Sequence, residues 1–411
     1  MYSIDAAQLA TDIDTLATIV EPGTRGTTRR AFTAAYRASR SWVRTCMHEA
    51  GLVVDMDAAG NLVGRYPGLR PDAPVIMLGS HTDTVMEGGR FDGAIGVLGA
   101  IAVVRALRAH AITLQHTIEV VDFLAEESTP LGSLIGSTAM AQGFTAEYLA
   151  RHVPGWGDVA SCIAAMGGQP AQLTDPLRTS GMIGAYLELH IEQGPVLEAA
   201  NVPIGVVTGI VGIRRCDVIC HGRPDHAGTA GMQHRHDALA VAAAVILAAE
   251  RAAQQRPGTV ATVGSLTVAP NQTNVVPGSV RFSLEMRSVH WPEVLAIWDE
   301  CMQALTDAAT HRGVTCEVTP YEDSPPLSFA PWYTAIVADA VAPWTPTVVH
   351  VPSGAGHDGS MIGVIAPVAM IFVRTKDGRS HCPEEFAAHA DIVAGVNAML
   401  HTVCALDAVL A

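Results

Sequence analysis

The chain of 411 residues has almost no lysine and few charged or aromatic residues. Only one of its 25 basic residues is a lysine, Lys376, which disfavours enzymes that form a lysine Schiff base or bind phosphate with a P-loop lysine. Charged residues make up 16% and hydrophobic residues 49%, a balance typical of a well-packed globular protein. The net charge of −15 argues against nucleic acid or an anionic membrane as the main partner.

Paired cysteine motifs, a signal peptide and a membrane-spanning run are also lacking. The eight cysteines are scattered without a CxxC pair, which indicates reduced thiols. The opening residues, MYSIDAAQLATDID, are acidic and contain no apolar core of a signal peptide. The longest apolar run, 93–104, stops at Arg105 and is too short to cross a bilayer. We therefore expect a cytoplasmic protein that does not span a membrane.

Three other catalytic classes find little support in the motifs. No GxSxG elbow is present, so a serine hydrolase is disfavoured. The segment GAGHDG at 354–359 matches GxGxxG, but no long βαβ unit follows it, which argues against a dinucleotide site. Cys382 is adjacent to His381 in sequence, and adjacency alone does not create the geometry of a thiol nucleophile.

The first half of the chain carries the patterns of an α/β protein. Amphipathic helices at 6–20 and 31–50 precede a hairpin at 53–66, in which a turn separates two β-like runs. A predicted βαβ unit and a later strand follow, at 73–80, 93–109, 116–124 and 184–191. These elements predict a mixed, mainly parallel sheet.

From about Gly212 the pattern changes to that of an α+β insertion. Strands and helices alternate in the order βαββαβ, at 213–221, 235–254, 259–268, 279–288, 292–312 and 314–321. This order is typical of a ferredoxin-like unit with an antiparallel sheet and helices on one side. The α/β pattern then resumes, with elements at 331–341, 346–350, 366–373 and 390–409. We therefore predict a catalytic domain in two parts, 1–210 and 326–411, around an inserted domain at 211–325.

Histidines and carboxylates stand where the predicted strands end. The set comprises His81, Asp92, Glu126, Glu127, His190 and His381. Side chains at the carboxyl ends of parallel strands meet at one edge of the sheet, where open α/β proteins place their ligands. Three imidazoles with shared carboxylates suit two divalent ions roughly 3.5–4 Å apart, and Asp92 is the natural bridging ligand. Each motif alone also fits a solvated turn, and only their combination predicts a metal centre.

The adjacent glutamates Glu126 and Glu127 predict different roles for their two carboxylates. Neighbouring side chains on extended backbone point to opposite sides, so one can bind metal while the other stays free. A divalent ion lowers the pKa of a bound water from about 15.7 toward 7, and a free glutamate can then take its proton.

Several longer motifs specify this reading further. They are GSHTDTV, GGRFDGAIGVLGA, AEES, LHIEQGPVLE, the DHAG loop, NVVPG, SGAGHD and SHCPEE. Their order between about residues 50 and 390 resembles the metal-dependent hydantoinase/carbamoylase amidases. That family includes N-carbamoyl-L-amino-acid hydrolases, allantoate amidohydrolases and ureidoglycolate amidohydrolases, and is related to two-metal aminoacylases and glutamate carboxypeptidases.

The resemblance implies a two-metal exopeptidase-like catalytic domain with an inserted lid or dimerisation domain. One metal would be held by His81, Asp92 and His190, and the other by Asp92, Glu127 and His381. Glu126 would be the general base, and Asp83 would orient His81 through its second ring nitrogen. Each subunit of an expected homodimer would carry two divalent ions, Zn²⁺ or Mn²⁺, with Co²⁺ or Ni²⁺ as alternatives.

The resemblance also implies the residues that bind a small carboxylate-bearing substrate. His226 would stabilise the oxyanion, and Asn274 and Arg287 would bind the carboxylate, which suits the planar fork of an arginine. Gln193 would help to hold the substrate, and Gly356 would allow close approach of the backbone.

The expected reaction is hydrolysis of the carbamoyl C–N bond of an N-carbamoyl-L-amino acid. Two segments depart from the family pattern and leave the substrate open, namely Ser128-Thr129-Pro130-Leu131 in place of GSRF and Thr229-Ala230-Gly231-Met232 in place of TTPM. The alternatives are allantoate or ureidoglycolate hydrolysis, then aminoacylase or dipeptidase activity, and finally a metal-retaining binding protein without turnover.

Overall fold

A computed structural model describes residues 2–411, which form two compact units. The larger unit comprises residues 2–208 and Phe329–Ala411, and the smaller unit comprises Gly209–Ser328. The smaller unit is the inserted domain that the sequence pattern predicts at 211–325.

Up to Ile210, the described residues form the following α-helices and strands, given in chain order. They are α1 (Ala6–Thr18), α2 (Ala34–Glu49), β1 (Val53–Met56), β2 (Leu62–Tyr66), β3 (Val75–His81), α3 (Ala94–Ala109), β4 (Ile118–Phe123), α4 (Ile135–Ala141), α5 (Ala146–Ala150), β5 (His152–Val153), β6 (Gly157–Asp158), α6 (Val159–Ala165), β7 (Ile183–Ile191), α7 (Val196–Ala199) and β8 (Ile204–Ile210).

The remaining elements belong to the insertion and to the C-terminal part of the larger unit. The insertion contains β9 (Gly212–His221), α8 (Ala238–Gln254), β10 (Thr259–Thr262), β11 (Leu266–Ala269), β12 (Ser279–Ser288), α9 (Trp291–Arg312), β13 (Thr315–Ser324) and β14 (Leu327–Ser328). After it come α10 (Pro331–Val341), β15 (His350–Ser353), α11 (Asp358–Ile362), β16 (Val368–Val373) and α12 (His389–Leu410).

The central sheet of the larger unit has the order β1-β2-β4-β3-β7-β16-β8, with β15 also pairing with β8. The four middle strands run parallel, because β3 pairs in parallel with β4 and β7, and β7 with β16. The β1–β2 hairpin and β8 extend this core as antiparallel strands. The prediction of an α/β fold with a mixed, mainly parallel sheet is confirmed.

Helix α3 is buried along almost its whole length because its sequence, AIGVLGAIAVVRALRA, is apolar on every side. A Cβ at Gly96 would lie 2.4 Å from the carbonyl oxygen of Leu189, so a glycine lets the helix approach β7 closely. Helix α12 is long and apolar enough to cross a membrane, but 67% of its apolar window is buried inside the fold. That burial is expected of a helix that packs in a protein core.

The inserted unit is an antiparallel sheet of order β10-β12-β9-β13, with β11 also pairing with β12. β10 and β11 pair with successive halves of β12, so they are two pieces of a single edge strand. The predicted βαββαβ order is therefore present, with its second strand interrupted. The entering and leaving segments pair with each other, Gly209 opposite Ser328 and Ile210 opposite Leu327.

Several elements differ from the sequence prediction. The strand expected at 346–350 forms at His350–Ser353, and the helix expected at 235–254 begins at Ala238. The later start has a local cause, because the side chain of Asp237 accepts the N–H groups of Leu239 and Ala240 as an N-cap. Helices α4 to α7 and strand β8 were not predicted.

Candidate metal centre

His81 is the last residue of β3, and Asp92 lies in the loop between β3 and α3, at the carboxyl edge of the parallel strands. Gly93, directly before α3, has φ of +62°, a conformation that L side chains rarely adopt. A Cβ at this position would lie 2.4 Å from the ring of His81. A glycine is therefore required both for the turn and for the close approach of the loop to the imidazole.

The first group of candidate metal ligands consists of His81, His190 and Asp92, all buried. Oδ1 of Asp92 lies 3.6 Å from Nε2 of His81 and 3.2 Å from Nε2 of His190. The Nδ1 atoms of both rings contact backbone carbonyl oxygens, those of Asp83 at 3.1 Å and Ile191 at 2.9 Å. A ring that donates from Nδ1 leaves the lone pair of Nε2 available for a metal ion.

The second group consists of Asp92, Glu127 and His381. Nε2 of His381 lies 3.2 Å from Oδ2 of Asp92 and 3.5 Å from Oε1 of Glu127. That oxygen of Glu127 is buried and has no hydrogen-bond partner among the residues described. Asp92 thus offers one carboxylate oxygen to each group, which is the arrangement of a bridging ligand.

The donor set fits divalent cations. Ligand atoms about 2.1 Å from a tetrahedral zinc ion lie about 3.4 Å from one another, close to the spacing seen here. Burial, and then the charge of Asp92, raise the pKa of Glu127 to about 8. Two carboxylates buried side by side disfavour each other's charge, and a divalent cation would stabilise both.

The three histidines differ in pKa and in burial, since His81 and His190 are buried and His381 is exposed. Burial lowers the pKa of His81 to about 4, which keeps its ring neutral and able to bind metal. Burial also opposes protonation of His190, but the hydrogen bond and charge of Asp92 outweigh it and raise the pKa of that ring to about 9. The hydrogen bond to Asp92 raises the pKa of His381 to about 9 as well. Protons and metal ions therefore compete for the ligands around Asp92.

Glu126 belongs to neither group, but its carboxylate reaches the first one. Oε2 lies 3.6 Å from Nε2 of His81, and the side chain is 11% exposed. Burial, and then the charges of Glu127 and Asp358, raise its pKa well above the ordinary value. This shift favours the protonated form of the carboxyl group, so Glu126 takes up a proton more readily than an exposed glutamate does.

Asp83 contacts the metal-site residues differently from the expectation. Its backbone carbonyl, not its carboxylate, is the nearer partner of His81, since the carboxylate lies 3.7 Å from Nδ1. The carboxylate accepts the backbone N–H groups of Glu126 at 3.3 Å and Glu127 at 3.1 Å. Asp83 therefore holds the two glutamates in place as well as contacting the histidine.

Gln193 also contacts the proposed bridging ligand. Its side-chain nitrogen donates to Oδ2 of Asp92 at 2.8 Å, and its backbone has φ of +58°. Its side-chain oxygen is buried and has no hydrogen-bond partner in the described part of the chain. A substrate N–H group could satisfy this oxygen.

A third cluster of possible metal ligands was not predicted from the sequence. It contains Glu188, His190 and His357, and the rings of the two histidines lie 4.4 Å apart. The cluster is not independent of the first group, because the two share His190, whose Nδ1 contacts the carbonyl oxygen of Ile191 and whose Nε2 faces Asp92. The spacing of Glu188 and His190 on one strand could have revealed it, since residues two apart share a face.

In the inserted unit, His226 and Asn274 lie on neighbouring exposed loops. The N–H of Ala227 donates to the carbonyl oxygen of Asn274 at 2.8 Å, which ties the loops together. Nδ1 of His226 accepts the N–H of Gly228 at 3.1 Å. In the neutral ring this contact leaves the proton on Nε2, ready to be donated.

The two other predicted substrate residues lie in different units. Arg287, on β12, donates from Nε to Oε1 of Glu285 at 2.7 Å, and Arg215 ion-pairs with the same carboxylate. Gly356 lies in the loop between β15 and α11 of the larger unit. The expectation of close backbone approach at Gly356 stays a prediction.

Comparison with known proteins gives matches along nearly the whole chain. The profile of the family described as Peptidase family M20/M25/M40 matches residues 77–405. The N-carbamoyl-L-amino acid amidohydrolase of Geobacillus stearothermophilus is 38% identical over 379 residues, covering 92% of this chain and 93% of that protein. The allantoate amidohydrolase of Bacillus subtilis is 32% identical over 378 residues, covering 91% of each protein.

A solved structure has the same fold over almost its full length. The hydantoinase/carbamoylase family amidase of Burkholderia multivorans superposes with a TM-score of 0.88 at 32% identity, covering 98% of both chains. The resemblance noted in the sequence motifs is therefore confirmed by sequence and by fold.

Proposed function

Because the chain belongs to peptidase family M20/M25/M40, we propose that it is a metal-dependent amidohydrolase that cleaves the carbamoyl C–N bond of N-carbamoyl-L-amino acids. Its products would be ammonia, carbon dioxide and the free amino acid. The observation that carries this proposal is Asp92, which offers one oxygen to each of two ligand groups while Glu126 stays outside both. The 38% identity to an enzyme of this activity supports the choice of substrate.

The proposed centre holds two divalent cations, Zn²⁺ or Mn²⁺, with Co²⁺ or Ni²⁺ as alternatives. The ligands are His81, Asp92, Glu127, His190 and His381. When bound, these cations would polarise the substrate carbonyl and lower the pKa of water. A mixed set of imidazoles and carboxylates accepts either metal, so the identity of the ion follows from measurement and not from the ligand types.

Glu126 would act as the general base and then as the general acid. It removes a proton from the attacking water and delivers that proton to the departing nitrogen. The raised pKa of this buried carboxyl group supports the first step, because it strengthens Glu126 as a proton acceptor. Asp83 would keep Glu126 in position through its contact with the backbone N–H.

The inserted unit would supply most of the contacts to the substrate. His226 would donate Nε2–H to the oxygen that becomes negative as water attacks, the role of an oxyanion-hole donor. Arg287 and Asn274 would bind the carboxylate of the amino-acid portion, and the guanidinium is well suited to it. Gln193 and Gly356, in the larger unit, would bind the ureido group.

Hydrolysis of allantoate or ureidoglycolate is the second candidate, because the Bacillus subtilis relative is an allantoate amidohydrolase. The segments Ser128–Leu131 and Ala230–Gly231 differ from the family pattern and would decide between these ureido substrates. Aminoacylase or dipeptidase activity ranks third. A binding protein without turnover is disfavoured, because Glu126 reaches His81 in a geometry suited to catalysis.

Ammonia release from a panel of substrates tests the proposal. The panel contains several N-carbamoyl-L-amino acids, allantoate, ureidoglycolate, N-acetyl amino acids and a dipeptide, and amino-acid release is measured for the last two. We expect the highest kcat/KM with an N-carbamoyl-L-amino acid. Preference for allantoate or ureidoglycolate would establish the second candidate, and turnover of none of them would refute both.

We further propose a homodimer that forms through the inserted unit, by pairing of sheet edges or packing of helices across a two-fold axis. A cytoplasmic location is part of the same proposal. All eight cysteines are free thiols, as expected in a reducing compartment.

A further inference from the structure

Glu385 is a buried carboxylate near the metal centre that the mechanism does not use. It is 5% exposed and lies four positions after His381. We propose that Glu385 is a positioning residue that holds Asp92 and the segment containing His381 in the relative positions that metal binding requires. This inference rests on the proposed metal centre and adds a residue to it.

One oxygen of Glu385 fixes the backbone that leads into the bridging ligand. Oε1 accepts the N–H of Phe91 at 2.9 Å and that of Asp92 at 3.2 Å. These N–H groups lie just before α3, in the loop that must present the carboxylate of Asp92 to both ligand groups. The contact sets the direction in which Asp92 leaves the backbone.

The other oxygen of Glu385 reaches the second segment through a serine. Oε2 lies 2.8 Å from Oγ of Ser380, which is itself 2.8 Å from Oδ2 of Asp92. Ser380 precedes His381, whose backbone has φ of +55°. One buried side chain therefore links two segments that lie 294 positions apart in the sequence and carry ligands of both metals.

The neighbouring backbone is shaped to admit this carboxylate. A Cβ on Gly89 would lie 2.0 Å from the carboxyl carbon of Glu385. Only glycine leaves room for Glu385 to reach the loop. Loss of the carboxylate would leave buried N–H groups without acceptors, which costs free energy and releases the loop.

A conservative replacement separates positioning from general stability. In Glu385→Gln, the side-chain oxygen still accepts the N–H groups of Phe91 and Asp92, and its amide N–H₂ can donate to Ser380. Glu385→Ala loses all these contacts. Glu384→Ala is the matched control, because Glu384 is the adjacent glutamate, is 49% exposed and pairs with Arg25 and Arg379 on the surface.

The test measures the affinity of chelator-treated protein for Mn²⁺ by titration calorimetry, with thermal unfolding of the metal-free proteins as a check of folding. Partners that orient metal ligands typically contribute 10- to 100-fold in affinity, and we expect a loss of about this size for Glu385→Ala. Glu385→Gln should stay within about threefold of the natural protein, and Glu384→Ala should be unchanged.

The outcomes distinguish this inference from the proposed function. Natural protein that binds no metal would refute the metal centre itself. Natural protein that binds metal, with Glu385→Ala binding equally well or Glu385→Gln binding as poorly as the alanine variant, would overturn the role of Glu385 alone. If Glu385→Ala does not fold, Ser380→Ala tests the same link, with a smaller loss of affinity expected and no loss overturning the inference.

Discussion

Glu126 and Glu127 are adjacent in the chain, yet the structure gives their carboxylates different neighbours. One carboxylate reaches His81, and the other reaches His381. Glu126→Gln should leave metal bound but lower kcat by about 10²–10⁴, the usual effect of losing a general base. Glu127→Gln should instead lower metal content, which elemental analysis measures alongside kcat. Exchanged phenotypes would show that the two roles are reversed.

Arg287 provides a second prediction at the scale of a residue. Its Nε is engaged by Glu285, which orients the guanidinium. Arg287→Lys should strongly reduce kcat/KM for substrates with a free α-carboxylate, because lysine lacks the planar fork. The corresponding amide substrates, measured in parallel, should hardly change. Equal losses for both substrates would indicate a structural role for Arg287.

At the scale of elements, the turn that leads into α3 decides whether His81 can bind metal. Gly93→Ala should weaken metal binding by about 10- to 100-fold, because the new Cβ meets the imidazole ring. Gly155→Ala is the matched control, since Gly155 also has positive φ, +78°, but no atom lies within 4 Å of its Cβ position.

Both variants should lose about 1 kcal/mol of stability in thermal unfolding for placing alanine at positive φ, and Gly93→Ala should lose more because its Cβ also meets the ring of His81. Metal titration should separate them. If Gly155→Ala weakened metal binding as much as Gly93→Ala, backbone strain and not the contact with His81 would be the cause.

The elements that the sequence predicted best are those with strong periodic patterns. α10 was predicted with the bounds that it has, and α12 within one residue at each end, because apolar residues mark both helices clearly. Helices α4 to α6 lie in short segments of mixed composition, where the contacts of the folded chain decide the structure. β8 was missed because its seven residues follow a short helix without a clear turn signal.

The candidate site likewise contains residues whose positions could be predicted from the sequence and residues whose positions could not. Its histidines and carboxylates lie at strand ends or in the segments that follow them, so their meeting could be predicted from the topology of a parallel sheet. Glu385 could not be predicted in this way, because its role depends on a contact with residues 294 positions earlier. The tautomers of His81 and His190 likewise follow only from backbone carbonyl groups that the folded chain brings to them.

At the scale of the whole molecule, removal of metal should abolish activity. All five proposed ligands are side chains that bind divalent ions, and none of the other proposed catalytic groups can replace the ions. Exhaustive chelation should therefore eliminate turnover, and Mn²⁺ or Zn²⁺ should restore it. Full activity in protein shown by elemental analysis to be free of metal would contradict the proposed mechanism.

A second prediction at this scale concerns subunit sharing. We expect His226 to act in the site of the partner subunit, so two inactive variants, Glu126→Gln and His226→Ala, should complement each other when subunits re-associate. The site on the His226→Ala subunit keeps Glu126 and receives His226 from its partner. Random pairing makes about half the dimers mixed, with one complete site each, so roughly a quarter of the natural activity should return. No recovery in verified mixed dimers would show that His226 acts within its own subunit.

The chain enters and leaves the inserted unit through two neighbouring segments, because Gly209–Ile210 pairs with Leu327–Ser328. Paired strands lie about 5 Å apart, a gap that a tight turn can close. The inserted unit can therefore be deleted, or moved into another protein, without changing the path of the rest of the chain. In the proposed enzyme this unit carries the contacts to the substrate carboxylate, while the cation ligands lie outside it. Recombination between relatives could then exchange substrate preference while leaving the hydrolytic machinery intact.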